Sequence, residues 1–592
     1  MSHLAVNAGL AARTIREHWQ DDATLLALHT FRRLPAGTRT RLARLGQGMP
    51  TGSVHPAGIL AALLGGRENE VDARLEAALP LAQSGKASVP RLCSWADLAM
   101  AAHRPELAQL FLECVPRAET PSSDRLAAGV SRLAWYRGEL GEAVRGLEPQ
   151  ETPGTAGQLS RYRAEREVFH GWVPSLEPVR GYRAQPDRVL HLLTNSLPHT
   201  GSGYAQRSHS ILASQRAQGW EVMAATRIGY PVQVGALLAR HRDLVDGVDY
   251  RRILPRRLAR TLDGRLQQEA EALLALARDF RPAVLHTTTH FVNGLVVGAV
   301  ARALGVPWVY EVRGRLADTW ASVREPEARE SERYVRFQAR EAEVMNGADL
   351  VITLGTELRA QVLQAGVPAA RVMIAPNAVG EHFLDEPIPA ATARRMLRLE
   401  EGLYLGTVSS LVPYEGLDTL VRSFARLASG HPRLRLLIVG DGSDRARLLD
   451  LAEQLGVSSR VHFPGRVPRD RARLFHAALD VFVVPRRDLP VTRAVTPLKP
   501  VEAMACARPV VASDLPALRE IIQDGVTGLL VPPGDVGALA ERLRILIDDA
   551  GLRASLGWAG RAEVLAKRTW TANSRRMIQA YRALEDGRGD TA

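Results

Sequence analysis

The chain has 592 residues, 46% hydrophobic and 24% charged, and its 76 Lys+Arg against 64 Asp+Glu leave a net charge of +12. That length is too great for one core and predicts three or four domains of ordinary globular composition. The longest apolar runs are too short to predict a membrane span, the N-terminus lacks the pattern of a secretory leader, and Cys93, Cys114 and Cys506 are too far apart for a disulfide framework or a metal site, so a cytoplasmic protein is expected.

Residues 1–150 carry apolar side chains at three- and four-residue spacing, as in SWADLAMAAHRPELAQLFLECV and DRLAAGVSRLAWYRGELGEAVRGL, and predict an all-helical domain. WYRGELGEAV, with Gly138 at its turn, is similar to a tetratricopeptide-type helix–turn–helix, which suits contact with a protein partner. Residues 151–186 are rich in Pro, Gly, Gln and Arg and read as a linker. From 187 onward short β-branched runs alternate with helical stretches: VLHLLTNS, WEVMAATR, VLHTTT, PWVYEVRG, DLVITLG and VMIAPNA, then YLGTVSS, RLLIVGDG, RVHFPG, DVFVVP, PVVASD and GLLVPPGD. This predicts an α/β fold of two doubly wound parallel-sheet (Rossmann-like) domains, 187–385 and 386–570, with a cleft between them and a C-terminal helix and tail over 571–592.

The net charge reads either as a solvated arginine-rich surface or as a match for a phosphate-bearing partner. It is densest in RRILPRRLAR, where Ile253, Leu254 and Leu258 interleave with Arg251, Arg252, Arg256, Arg257 and Arg260. Such a segment suits an anionic membrane surface at the inner face of the plasma membrane. The lack of aromatic residues there argues against nucleic acid.

In LRLLIVGDGSDRARLLDLAEQLGV a strand, a Gly-Asp-Gly turn and a helix follow one another, and Gly440 and Gly442 permit a close approach of ligand. Together with SSRVHFPGRV, DVFVVP and TPLKPVEAMACARPVVASDLPALREIIQDGVTGLLVPPGD, this stretch resembles the donor-binding domain of the retaining family-4 glycosyltransferases of GT-B architecture, and the resemblance extends over about 187–586. It implies a glycosyltransferase that moves a sugar from a nucleotide-diphospho-sugar to an acceptor hydroxyl, in cell-surface glycan or polysaccharide synthesis, without a metal or a resident cofactor. The acceptor implied is a glycan or a lipid-linked sugar. The resemblance gives Glu502 the ribose hydroxyls and the loop Thr496 to Leu498 the donor.

Two departures stand out. The family's Glu-x7-Glu pair reads Ala494 and Glu502, and the Gly-Arg and Lys of its diphosphate loop read Ser409-Ser410 and Glu415. The chain has three lysines, Lys86, Lys499 and Lys567. Lys499, three residues before Glu502, is therefore the candidate for the vacated phosphate role, with Arg486 and Arg487 behind it. The alternatives are a stem packed on Pro497 and Pro500, a GT-B protein that binds without turnover, or a GT-B sugar-nucleotide epimerase.

In the first domain Gly201 and Gly203 precede a helix from about Tyr204, where an anion or sugar would meet free N–H groups. Arg207 there faces either the cleft or solvent. Relatives place a histidine near the transferred sugar, for which His286 and His290 are available. Arg313 closes YEVRG, either to clamp a phosphate or to pair with Glu311. The expected catalytic set is His290, Arg313 and Lys499; the expected donor set is Gly201, Gly203, Ser409, Ser410, Gly440, Thr496, Leu498, Lys499 and Glu502.

Overall fold

The computed structural model describes residues 3–33, 54–116, 124–150 and 152–589. Within 1–150 the described residues are helical: His3–Asp21, Ala23–Arg33, Pro56–Leu64, Glu68–Gln83, Val89–Ala101, Pro105–Glu113, Asp124–Arg137 and Leu140–Arg145. The apolar spacing of the sequence is what packs them: Leu75, Leu92, Trp95, Ala96, Ala99 and Phe111 form one buried core.

Residues 151–186 are more than a linker. Ala156–Phe169 is a helix whose Tyr162 stacks on Trp135, 4.2 Å between ring centroids, and whose Phe169 meets Phe291 and Phe337 of the next domain. Its sequence, AGQLSRYRAEREVF, is mostly polar, so the helical period is weak and packing on the neighbour supplies the stability.

Two parallel sheets follow. The first holds β1 (Gln185–Leu193), β2 (Glu221–Thr226), β3 (Arg242–Val245), β4 (Val248–Arg252), β5 (Pro282–Thr288), β6 (Trp308–Val312), β7 (Leu350–Thr353) and β8 (Val372–Ile374), in the order β3-β4-β2-β1-β5-β6-β7-β8. The second holds β9 (Leu403–Val408), β10 (Leu434–Val439), β11 (Val461–Gly465), β12 (Val481–Val484), β13 (Val510–Ser513) and β14 (Gly528–Val531), in the order β11-β10-β9-β12-β13-β14. The central strands are buried on both faces, which is why they read as unbroken apolar runs.

The antiparallel hairpin β3–β4 has no counterpart in the expected strands. It closes at Asp246-Gly247, both at positive φ (48° and 76°), as a tight hairpin turn requires. It also corrects the reading of RRILPRRLAR. Arg251 and Arg252 are strand residues, and Ile253, Leu254 and Leu258 are buried in the first domain's core. Arg252 is buried as well, donating to Asp243 (2.8 Å), Ser196 Oγ (2.5 Å) and Leu197 O (2.8 Å).

The chain crosses to the second domain at Val379 and returns at Trp570. The two crossings touch: Val379 N donates to Arg568 O (2.9 Å) and Trp570 N to Val379 O (3.2 Å). The C-terminal helix, Trp570–Gly589, then lies on the first domain, with Met577 and Ile578 in its core and Tyr581 against Gln215 and His286.

Across the interface, Glu520 of the second domain accepts hydrogen bonds from Thr356 N (2.8 Å) and Glu357 N (3.0 Å), capping the first turn of the helix Thr356–Gln364. Gly355 is needed there, since a Cβ would sit 2.1 Å from the Glu520 carboxylate. Glu520→Ala should cost about 1 kcal/mol, the usual worth of such a cap, and lower the melting temperature by roughly 2–4 °C; an unchanged melting curve would show that the cap carries no load.

Candidate functional site

At the carboxyl ends of the second sheet, three loops converge on one buried carboxylate. Glu415 follows β9, Arg486 follows β12, and Lys499 opens the helix Lys499–Ala505. Arg486 grips Glu415 with two nitrogens (Nε to Oε2 3.2 Å, Nη2 to Oε1 2.9 Å) and donates its third to Val495 O (3.0 Å). Lys499 Nζ donates to Glu415 Oε1 (3.2 Å) and Ser409 Oγ (2.9 Å). Burial works against the charge on Glu415, but Arg486 and Lys499 outweigh it and hold its pKa down at about 2. One anion thus serves two cations, leaving the cluster with a net positive charge. Lys499 is the exposed member, with 27% of its side chain open, while Arg486 lies behind it.

Glu502 sits on the same helix, one turn beyond Lys499. Its carboxylate is half-buried and is approached by His476 Nε2 at 3.4 Å. His476 is fully buried between Phe383 and Phe482. Thr496 is buried and its carbonyl accepts from Asn377 Nδ2 (2.8 Å) of the first domain. Leu498 packs on the cluster that includes Trp570 and Met577. Ser410 is exposed, and its carbonyl accepts from Ser409 Oγ (3.1 Å). Arg487 points away, to Asp418 (2.9 Å).

Gly440 requires a different account from the expected one. Its φ is +139°, and a Cβ would lie 1.7 Å from Ser409 O. The loop 409–411, bonded to β10 and its turn through Ser409 N to Val439 O and Leu411 N to Asp441 O, fills the space that a ligand was expected to need.

In the first domain Gly201 and Gly203 are exposed, and Ser202 caps the helix Gly203–Ala217 through Ala205 N (3.3 Å). Arg466, from the loop after β11, reaches across the cleft to Gly201 O (3.5 Å). Arg313 does not face a ligand. It is buried, and its donors go to Glu311 (2.8 and 2.5 Å), Ser208 Oγ (2.7 Å) and Tyr204 O (3.1 Å). Arg207 is likewise spent inside, on Glu311, Ala375 O, Pro376 O and Asn377. Burial raises the Glu311 pKa, but these two arginines and His286 hold it well below the usual carboxylate range. His286 is a core residue stacked on His191. His290 caps the helix Phe291–Leu304 by accepting from Val292 N (3.4 Å) and packs on Phe291 and Phe337. Burial, with Arg333 and Arg227 nearby, pushes its pKa down to about 3, so it is neutral near pH 7 and is no acid.

Ala494 ends the short helix Pro490–Ala494, is buried, and joins the first domain's core. The position of the family's first glutamate is therefore an apolar interdomain contact. Among the described residues no group of three or more His, Cys, Asp or Glu side chains could hold a metal ion. Arg466, His476 and the organising role of Glu415 are not among the expected site residues; the one signal in sequence was the acid at 415 paired with a rare lysine at 499.

Residues 391–563 match the profile of the glycosyl transferases group 1 and residues 202–378 that of the glycosyl transferase 4-like domain. The chain belongs to the family-4 glycosyltransferases of GT-B fold. It is 31% identical over 246 residues to a GDP-mannose-dependent alpha-(1-6)-phosphatidylinositol monomannoside mannosyltransferase of Mycolicibacterium smegmatis, covering 41% of this chain and 64% of that one. It is 30% identical over 311 residues to a D-inositol 3-phosphate glycosyltransferase of Stackebrandtia nassauensis, covering 50% and 67%. The chain thus spans a little under two thirds of the mannosyltransferase's length. In fold it is similar to a sucrose-phosphate synthase of Thermosynechococcus elongatus (TM-score 0.57, 24% identity, 68% of this chain and 100% of that one) and to HepE of Anabaena, solved with UDP (0.54, 19%, 67% and 100%).

Glu415→Gln keeps the shape of the acid and leaves the buried Arg486 and the partly open Lys499 without their anion, which should cost about 3 kcal/mol at pH 7. The folded pKa lies below the ordinary value of 4.5, so this contribution is full above about pH 5 and is lost as pH falls from 4.5 toward 2. Urea unfolding of both proteins from pH 7 to pH 3 should show the difference shrinking at the acid end; a constant gap would place the charge elsewhere.

Proposed function

We propose that the protein is a retaining glycosyltransferase that takes a nucleotide-diphospho-sugar and transfers its sugar to the hydroxyl of a glycan or lipid-linked acceptor in cell-surface glycan synthesis. The observation that carries this reading is the cationic pair Lys499 and Arg486 on one buried acid, a turn from the half-buried carboxylate of Glu502. A ribose and a diphosphate require that combination at that spacing: a carboxylate to accept from two hydroxyls, and a fixed positive charge to take the leaving group. The chemical step joins the acceptor oxygen to the anomeric carbon and breaks the bond from that carbon to the diphosphate, on the same face. The acceptor proton passes to the departing phosphate oxygen. Lys499 is the side chain that neutralises the departing charge, with Arg486 holding the field behind it; no metal or resident cofactor takes part. Arg466 and the loop at Gly201 close the opposite wall. Beside the cleft, a recess of about 480 Å³ lined by Gly314, Leu316, Phe337, Met345 and Val362 leaves room in the first domain for a bulky acceptor with an apolar part.

A second reading, a cleft that binds donor without turnover, is favoured by Ala494, which places no carboxylate beside the sugar. Purified protein assayed with UDP-, GDP- and ADP-sugars for released nucleotide diphosphate separates the two. Slow release from one donor, cut at least tenfold in Lys499→Ala and Glu502→Ala, is expected. Thermal stabilisation by one donor with no release under any acceptor would favour the second reading, and neither release nor stabilisation would sink both.

A further inference from the structure

We propose that the edge of the first domain built from the loop 235–241, strand β3 and the loop 253–260 is a membrane-docking surface that rests on anionic lipid. Leu238 is 78% exposed and Leu244 66%, more than any other large apolar side chain among the described residues, and Leu237 beside them is 51% exposed. Leucines placed so openly bury little area within the fold, and a partner that removed them from water would stabilise them.

The charges around them are arranged for the same partner. Arg240, Arg256, Arg257 and Arg260 are exposed and form no ion pair among the described residues. Neither loop contains an Asp or Glu. The acids of the hairpin are already engaged: Asp243 with Arg252 and His199, Asp249 with Arg242 and Arg251, Asp246 with His209. The arginines are therefore free for headgroup phosphates, while the leucines reach past them into the acyl boundary. A polyanion such as nucleic acid would use the arginines but leave the leucines exposed, and neither loop contains a Phe, Tyr or Trp to stack on bases. The buried Ile253, Leu254 and Leu258 hold the arginine loop in place from below.

The surface also lies where it is useful. The two loops leave the carboxyl ends of β2 and β4, the side of a parallel sheet on which ligands bind. Asp243 holds His199 at 3.1 Å, two residues from Gly201, and Arg252 donates to Ser196 and Leu197 at the start of that same loop. A bilayer at this edge would deliver a lipid-borne hydroxyl beside the glycine loop of the cleft. The inference itself rests on surface chemistry and stands whether or not the cleft turns over.

The test is cosedimentation of the full-length protein with liposomes of equal phosphatidylglycerol and phosphatidylcholine, and of phosphatidylcholine alone, at low and high salt. The variants are Leu238→Glu/Leu244→Glu, Arg256→Gln/Arg257→Gln/Arg260→Gln, and Leu449→Glu, a partly exposed leucine on the second domain, as control. All sites lie on the surface, and thermal melts verify folding. The expected result is salt-sensitive binding to the anionic liposomes that falls about tenfold or more in both patch variants and is unchanged in the control. Equal binding by wild type and the leucine variant, with loss only in the arginine variant, would make this a polyanion site and overturn the proposal. Absence of wild-type binding, equal binding to both lipids, or loss in the control as well would also overturn it. Donor-dependent release in solution should be the same in all variants, so failure here is separable from failure of the transferase reading.

Discussion

The second domain's cleft depends on keeping one carboxylate charged in a place where burial opposes it. Glu415 has almost no contact with water, and its charge persists because Arg486 meets it with two nitrogens and Lys499 with a third. These contacts bind three loops, from β9, from β12 and at the start of the helix Lys499–Ala505, into one rigid unit. A lysine alone on a loop would sample many rotamers; here its ammonium is held by Glu415 and Ser409. The arrangement also inverts the family's pattern. An acid stands at 415 where the resemblance implies a cation, and the cation open to solvent in this cluster is Lys499.

The first domain solves the same problem with a different outcome. Glu311 is buried between Arg207 and Arg313, and both arginines are spent on it and on carbonyls of the chain. No donor is left over for a ligand, so this ion cluster serves the interior: it ties the helix Gly203–Ala217 to β6 and to the segment after β8. His286 of β5 joins it, and Tyr581 of the C-terminal helix holds the other side of that ring. Two superficially similar clusters of cations around a buried glutamate thus differ in one respect, the exposure of one cation: Lys499 is open to solvent, while Arg207 and Arg313 are both buried.

The alternation of strand and helix was legible because buried parallel strands must be continuously apolar, and all twelve runs anticipated for the two sheets are strands. The hairpin β3–β4 was not, because DLVDGVDYRR is short and carries charges at Asp243, Asp246, Asp249, Arg251 and Arg252, which breaks the alternation of a strand, so its arginines read as surface. The helix Ala156–Phe169 escaped for a related reason: its stability comes from Trp135, Phe291 and Phe337, which no local period reports. At the site, Lys499 could be singled out because lysine is rare in this chain. Its partner Glu415, 84 residues away, could be seen only as a departure, since pairing across loops is set by the fold and not by spacing. Arg313 shows the converse: its position at a strand end is right for a ligand, and the buried acid two residues before it decides otherwise.

The two crossings between the domains lie side by side, joined through Val379, Arg568 and Trp570. The link is a single bridge between Val379 and Thr569, so the two crossings are held together at one point. The same adjacency gives residues 380–568 the geometry of an insert, with entrance and exit a hydrogen bond apart. A segment whose ends meet so closely has the connectivity of an inserted domain. The first sheet and the C-terminal helix that completes its core thus come from opposite ends of that insert.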